Sequence, residues 1–124
     1  QITWTGHITD IHPLIAKADI GVCPSKWREP FGLAVIEYMA HGKPVIASNN
    51  GAQPEYVTSG TNGILVAPGD TQALAEAIAT LSDSTVRGAM GKAARETFKE
   101  RLAYPIFIER IENVYKTVLN NQQP

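Results

Sequence analysis

Three short, unbroken apolar runs constrain this chain more than any other feature: Ile20-Gly21-Val22-Cys23, Val45-Ile46-Ala47 and Ile64-Leu65-Val66. None alternates with polar residues. A strand with one wet face would alternate, so these runs read as strands covered on both faces, the habit of parallel sheets. With their margins, strands are expected over 19–24, 44–48 and 63–67. A fourth is expected over 2–5, where β-branched and aromatic residues (Ile2, Thr3, Trp4, Thr5) follow one another.

Helical patterns fill the gaps. Residues 11–18 follow Asp10, a suitable N-cap. Residues 32–41 are apolar almost all round and stop at Gly42, where a left-handed C-terminal residue is expected. Residues 54–58 suit one or two turns. Residues 71–81 follow Asp70 and place Leu74, Ala77, Ile78 and Leu81 on one stripe. Residues 86–102 repeat apolar positions at helical spacing. A last helix starts near Pro105, which suits a first turn. Its stripe is Phe107, Ile111, Val114 and Val118. These last two helices have no strand after them, so they are expected to pack across the domain. A polar tail over 120–124 is expected to fray. Strand alternating with helix implies βαβ units, an α/β fold of αβα layers around a parallel sheet. The 124 residues suit one domain, 1–124, without repeats or linkers.

Composition excludes several classes. Eleven basic against twelve acidic residues leave a net charge of −1, so no global field draws nucleic acid or an anionic membrane surface. A single cysteine excludes an internal disulfide and a thiolate zinc site. No metal-ligand spacing occurs, and neither a metal nor a cofactor is expected. No apolar run approaches the roughly 18 residues of a membrane span. Gln1 opens the chain without an initiator Met or a charged leader, straight into strand-like residues. The expectation is a part of a longer, cytoplasmic protein, with a membrane-peripheral full-length form as the alternative.

Ligands of open parallel sheets bind beyond the carboxyl ends of the strands. Two loops there are chemically rich, 25–32 and 49–55. The first leads into a helix beginning at about Gly32. A helix N-terminus presents free N–H groups and the positive end of the dipole, so it accepts anions. Glu29 lies just before this turn. Glu37 lies five residues after Gly32, roughly 7 Å along the helix axis. Two carboxylates therefore flank one anion-binding turn. A ligand with a central diphosphate and a polyhydroxyl group at each end, a nucleotide sugar, matches that order, because carboxylates accept hydrogen bonds from sugar hydroxyls. The residues alone also admit a structural reading, with Glu37 a rim residue of the helix and Glu29 compensating its dipole.

The stretch Glu29-Pro-Phe-Gly-Leu-Ala-Val-Ile-Glu37 resembles the E-x7-E motif of GT-B glycosyltransferases of the glycogen-synthase and sucrose-synthase type, the retaining family 4 group. The likeness extends to Ala18-Asp-Ile-Gly-Val-Cys-Pro-Ser25, Tyr38-Met-Ala-His-Gly-Lys-Pro-Val-Ile-Ala-Ser48, Gly51-Ala-Gln-Pro-Glu-Tyr-Val57 and Gly60-Thr-Asn-Gly-Ile-Leu-Val66. It covers about residues 2–81. Ala52 stands where a second Gly is usual, and His41 where a small residue is usual. The resemblance implies the second half of a Rossmann-like GT-B C-terminal domain that binds the nucleotide-sugar donor. It implies that Glu29, the candidate catalytic residue, touches the hexose hydroxyls. The amides of Phe31, Gly32 and Leu33 would face hexose and diphosphate, and Glu37 the ribose. Ile8, within Gly6-His-Ile8, falls where the family's loop faces the base. An acceptor-binding N-terminal domain and an Arg/Lys pair for the diphosphate would lie upstream.

The implied reaction transfers a hexosyl group to a sugar, lipid or other acceptor, with the isolated chain inactive. A stand-alone αβα binding module is the rival reading, and a GT-B phosphorylase or sugar-nucleotide epimerase a further enzyme alternative. Lys26, Arg28, His7, His12 and His41 read as surface or capping residues, and Cys23 as a core thiol. Lys and Arg within 87–101 read as a solvated face. Trp27 either covers the donor pocket or packs under its loop. In the family's usual order, residues 2–5 are the third strand and 20–23 the fourth, separated in the sheet by strands absent here. Either residues 2–5 pair with 20–23, or two copies associate through the uncovered edge; self-association is the expectation.

Overall fold

The computed structural model describes residues 1–120. Its elements run α1 (His12–Lys17), β1 (Gly21–Cys23), α2 (Leu33–Ala40), β2 (Val45–Ser48), α3 (Gln53–Tyr56), β3 (Gly63–Val66), α4 (Thr71–Thr80), α5 (Ser84–Thr97), a π-helical turn (Phe98–Leu102) and α6 (Tyr104–Asn120). The three strands form one parallel sheet in the order β1-β2-β3. Gly21 lies opposite Val45, and Val45 opposite Gly63. The expected α/β fold is present. The polar tail lies, from residue 121 on, outside the described residues.

The continuous apolar runs do what their pattern demands. Central strand β2 is buried along its whole length. Val45 and Ala47 enter a core with Val35, Ile36, Met39, Tyr56, Val57 and Ala94. Ile46 points the other way, into a core with Val66, Ala77, Leu81 and Met90. Successive strand side chains alternate sides, so one strand serves both cores.

Local signals set the helix ends. Gly42 takes φ +67° after α2; its N–H donates to Met39 O and that of Lys43 to Tyr38 O, the paired bonds of a Schellman ending. Asp70 Oδ1 accepts from Ala73 N–H at 2.9 Å and caps α4. Asp83 Oδ1 accepts from Thr85 and Val86 N–H, so α5 starts at Ser84 rather than at residue 86. These backbone hydrogen bonds hold the Asp83 carboxyl below its ordinary pKa. At α1, Asp10 accepts from His12 N–H at 3.1 Å, although Ile11 holds the cap position.

Three expectations are corrected. Residues 2–5 form no strand and do not pair with β1; Ile2 is 81% and Trp4 91% exposed. β-propensity measures fit to a neighbouring strand, and no neighbour meets this segment. The helix expected over 86–102 is interrupted. Ala103 N–H donates to Phe98 O, a five-residue step, and the backbone then turns extended at ψ 145° before α6. Finally, α5 packs across the domain through Met90, Gly91 and Ala94, but α6 does not. It buries no residue, and Phe107, Ile111, Val114 and Val118 remain exposed. Its main neighbour is the π turn, and Phe107 and Arg110 line a shallow hollow with Phe31, Glu55 and Tyr56.

The cationic face of α5 is also less uniform than its pattern. Lys99 pairs with Glu96 in solvent, but Arg87 donates to Leu81 O and Ser82 O at the end of α4 and reaches Asp19 at 3.6 Å. Arg101 donates to Glu55 O.

Truncating Ile46, fully buried, to Ala is expected to lower the unfolding free energy of the 124-residue chain by about 2–5 kcal/mol. Val114→Ala on α6 is expected to change it by no more than about 0.5 kcal/mol. Denaturant titration followed by circular dichroism checks both.

Candidate donor site at the start of helix α2

The loop from β1 to α2 closes on Gly32, the N-cap of α2, at φ +77° and ψ +55°. That left-handed turn is natural for glycine. A Cβ here would also stand 2.7 Å from the Tyr56 hydroxyl. No side chain caps the helix, and the N–H groups of Leu33 and Ala34 have no partner among the described residues. They border a cavity of about 420 Å³ at the carboxyl end of β1. Cys23, Ser25, Glu29, Phe31, Gly32, Leu33 and Gln53 are among its walls. An open helix N-terminus facing a cavity of this size suits an anionic ligand.

The loop is held from behind by the β2–α3 connection. Ala52 N–H donates to Glu29 O at 3.0 Å. Gly51 takes φ +59°, and a Cβ on it would stand 2.2 Å from Glu29 O. Tyr56 donates its hydroxyl to Phe31 O at 2.5 Å. Burial raises the Tyr56 pKa, with negative charge at Cys23, Glu29 and Glu55 adding to the effect, so the hydroxyl stays a donor. Asn62 extends the brace. It donates to Tyr56 O and Thr97 Oγ1 and accepts from Thr58 N–H.

Of the residues singled out in the sequence, Glu29, Phe31, Gly32 and Leu33 meet at the cavity. Glu37 is half-buried and lies one helical turn beyond Leu33 on α2 rather than in the wall itself. Ile8 is half-buried ahead of α1 and is not a wall residue. Both carboxylates bear on Cys23. Burial raises its thiol pKa from 9.0 to about 11, with the charges of Glu29 and then Glu37 adding to the rise. The thiol is therefore protonated and inert near neutral pH, although Cys23 is half-buried at the cavity wall rather than enclosed in the core as expected.

Sequence reasoning misassigned one contributor and missed two. Trp27 is mostly exposed, and its indole Nε1–H donates to Glu29 Oε2 at 2.8 Å. It neither covers the cavity nor packs beneath the loop; it orients the carboxylate. The signal was an indole two residues from a motif glutamate. Tyr56 and Gln53 come from α3, and only the fold brings them to the turn. The two loop cations differ: Lys26 borders a separate hollow with Gly69 and Asp70, whereas the hollow beside Arg28 shares Glu29 and Pro30 with the cavity. His12 and His41 stack on each other, 3.0 Å between ring nitrogens, and tie α1 to the end of α2.

The parallel sheet with flanking helices is a Rossmann-like α/β domain, and the comparisons give it a family. Residues 1–84 match the family model for glycosyl transferases group 1. The chain belongs to that family, and its parallel sheet with flanking helices is that of GT-B glycosyltransferases. It is 32% identical over 124 residues to N-acetyl-alpha-D-glucosaminyl L-malate synthase of Bacillus anthracis, covering 99% of this chain and 32% of the relative. It is 34% identical over 115 residues to the GDP-mannose-dependent monoacylated alpha-(1-6)-phosphatidylinositol monomannoside mannosyltransferase of Corynebacterium glutamicum, covering 87% of this chain and 30% of the relative. The crystal structure of Anabaena HepE in complex with UDP and glucose superposes with a TM-score of 0.86 at 30% identity, covering 93% of this chain and 32% of that one. The chain thus spans about a third of the length of these relatives.

Two outcomes are expected. Gly51→Ala combines a left-handed backbone with a clash against Glu29. It should destabilise the chain by about 1–3 kcal/mol, read as a lowered melting temperature. Cys23 should alkylate slowly, with about a hundredfold less thiolate than a free cysteine well below pH 9. Its rate should still be climbing at pH 10, in line with a pKa of about 11. Glu29→Gln or Glu37→Gln removes a charge that disfavours the thiolate, so each should speed alkylation at fixed pH, followed by mass spectrometry.

Proposed function

We propose that this chain is the donor-binding part of a retaining glycosyltransferase of family 4, which moves a hexosyl group from a nucleoside-diphosphate sugar to an acceptor. One observation carries the reading: an uncapped helix N-terminus opens on a cavity walled by Glu29 and by Phe31, Gly32 and Leu33, with Glu37 one turn further along. The UDP and glucose bound by HepE support the same ligand class.

In this reading the diphosphate lies on the amides at Phe31–Leu33. Glu29, oriented by Trp27, accepts from hexose hydroxyls, and Glu37 from the ribose. Ile8 belongs to the base side. In the reaction, the bond from the anomeric carbon to the diphosphate oxygen breaks and its electron pair leaves with the diphosphate. The acceptor oxygen bonds that carbon from the same face, and its proton ends on the departing diphosphate. No protein nucleophile is required. The chain's contribution is positioning and stabilisation of charge on the leaving group. The acceptor would be held by another domain. A copy of this chain could in addition meet another through the open edge of β1, where Val22 is 40% exposed.

Glu37→Ala in the full-length protein should weaken binding of the nucleoside diphosphate, since the ribose loses a charged acceptor. Such a bond is worth about 1.5–3 kcal/mol, roughly a 10- to 150-fold rise in Kd by calorimetry. Unchanged affinity would remove the ribose role from Glu37.

A further inference from the structure

We propose that the side-chain carboxamide of Gln53 contacts the transferred sugar and helps select it; the inference rests on the donor-site reading above. Gln53 is the first residue of α3 and only 1% exposed, yet it forms part of the cavity wall with Glu29 and Gly32. Its Nε2 lies 3.4 Å from the point a Cβ on Gly32 would occupy. The amide is thus seated against the N-cap of α2, on the same cavity as the hexose-facing Glu29.

Its Oε1 is buried and has no hydrogen-bond partner in the chain. Buried amide oxygens are normally paired, and an orphan calls for an explanation. Ser48 Oγ, at the end of β2, and Asn50 Oδ1, in the connection to α3, are also unpaired. Only Gln53 among the three borders the cavity. An orphan acceptor needs a donor. An ionised diphosphate offers acceptors alone, so it cannot satisfy Oε1. A sugar hydroxyl donates and accepts, and a carboxamide does both as well. The chemistry therefore matches Gln53 to a hydroxyl of the sugar rather than to the diphosphate. A site built to pair a hydroxyl rejects sugars that lack it more strongly than an apolar wall does.

The test uses the full-length protein with UDP, UDP-glucose, GDP and GDP-mannose as probes, and Gln53→Met as a variant of similar length without polar atoms on its end. Melting temperature reports folding. Gln53→Met should raise the Kd of the sugar nucleotide that the wild type binds by about tenfold, the order of one lost hydrogen bond. The Kd of the matching nucleoside diphosphate should stay within about twofold. If Gln53→Met does not fold, Gln53→Asn, which keeps the amide but shortens its reach, should show the same split. Unchanged affinity for both ligands makes Gln53 an internal amide and overturns the proposal. Equal weakening of both assigns it to the diphosphate or to the scaffold and also overturns it. A wild type that binds none of the four probes, nor ADP, CDP or TDP, instead overturns the donor-site reading, and this inference with it.

Discussion

Burial of β2 on both faces is the constraint on which the rest of the molecule depends. Val45, Ile46 and Ala47 are fully buried and feed two different cores. Neither core could form if β2 had a wet face. Each fully buried large aliphatic chain contributes about 1.5–3 kcal/mol, and the helices on both sides supply the cover. Parallel neighbours then follow, because each return to the sheet passes through a helix. That arrangement leaves the carboxyl ends of β1 and β2 free of covering helices. Their loops meet there, and their contact builds the site.

The contact is a backbone affair before it is a side-chain one. Glu29 is fixed by Ala52 N–H on its carbonyl and by Gly51 pressed against its main chain. Phe31 is fixed by the Tyr56 hydroxyl on its carbonyl. The turn that leaves the α2 amides open is therefore held by groups that a ligand does not compete for. Trp27 then sets the direction of the Glu29 carboxylate. A preorganised turn of this kind spares a ligand the cost of ordering it.

The sequence was most legible where a signal is local and self-sufficient. Val45-Ile46-Ala47 needs no partner's identity to read as a two-sided strand, and Gly42 and Asp70 mark helix ends by their own chemistry. Glu29 and Glu37 could be placed around one turn because helix geometry converts spacing into position. Legibility failed where a second element decides. Residues 2–5 have strand composition, yet without a neighbouring strand their backbone groups gain nothing from extension into a sheet. The α6 stripe is as regular as that of α4, but periodicity says that a face is apolar, not that something meets it. Gln53 lay in a loop that read as chemically rich, but its own role emerges only because α3 carries it to Gly32. The link from Trp27 to Glu29 spans two residues of irregular loop, where no period applies.

Charge closes the account of what this chain does in the proposed reaction. The cavity has a carboxylate in its wall and a second one turn away, but no Lys, Arg or His among its described wall residues. Lys26 borders another hollow, and Arg28 one that shares Glu29 and Pro30 with this cavity. Within the wall itself, the positive potential offered to a diphosphate is that of the α2 N-terminus, equivalent to roughly half an elementary charge. A departing diphosphate gains negative charge as the sugar bond breaks, and half a charge beside two carboxylates does not balance it. The amides can hold the ground-state diphosphate in register, since hydrogen bonding to N–H groups depends on direction as much as on charge. Stabilising the leaving group calls for cations from outside this wall. In the proposed reaction the chain would then orient the donor, and the electrostatics that drives bond cleavage would have to come from cations beyond this wall.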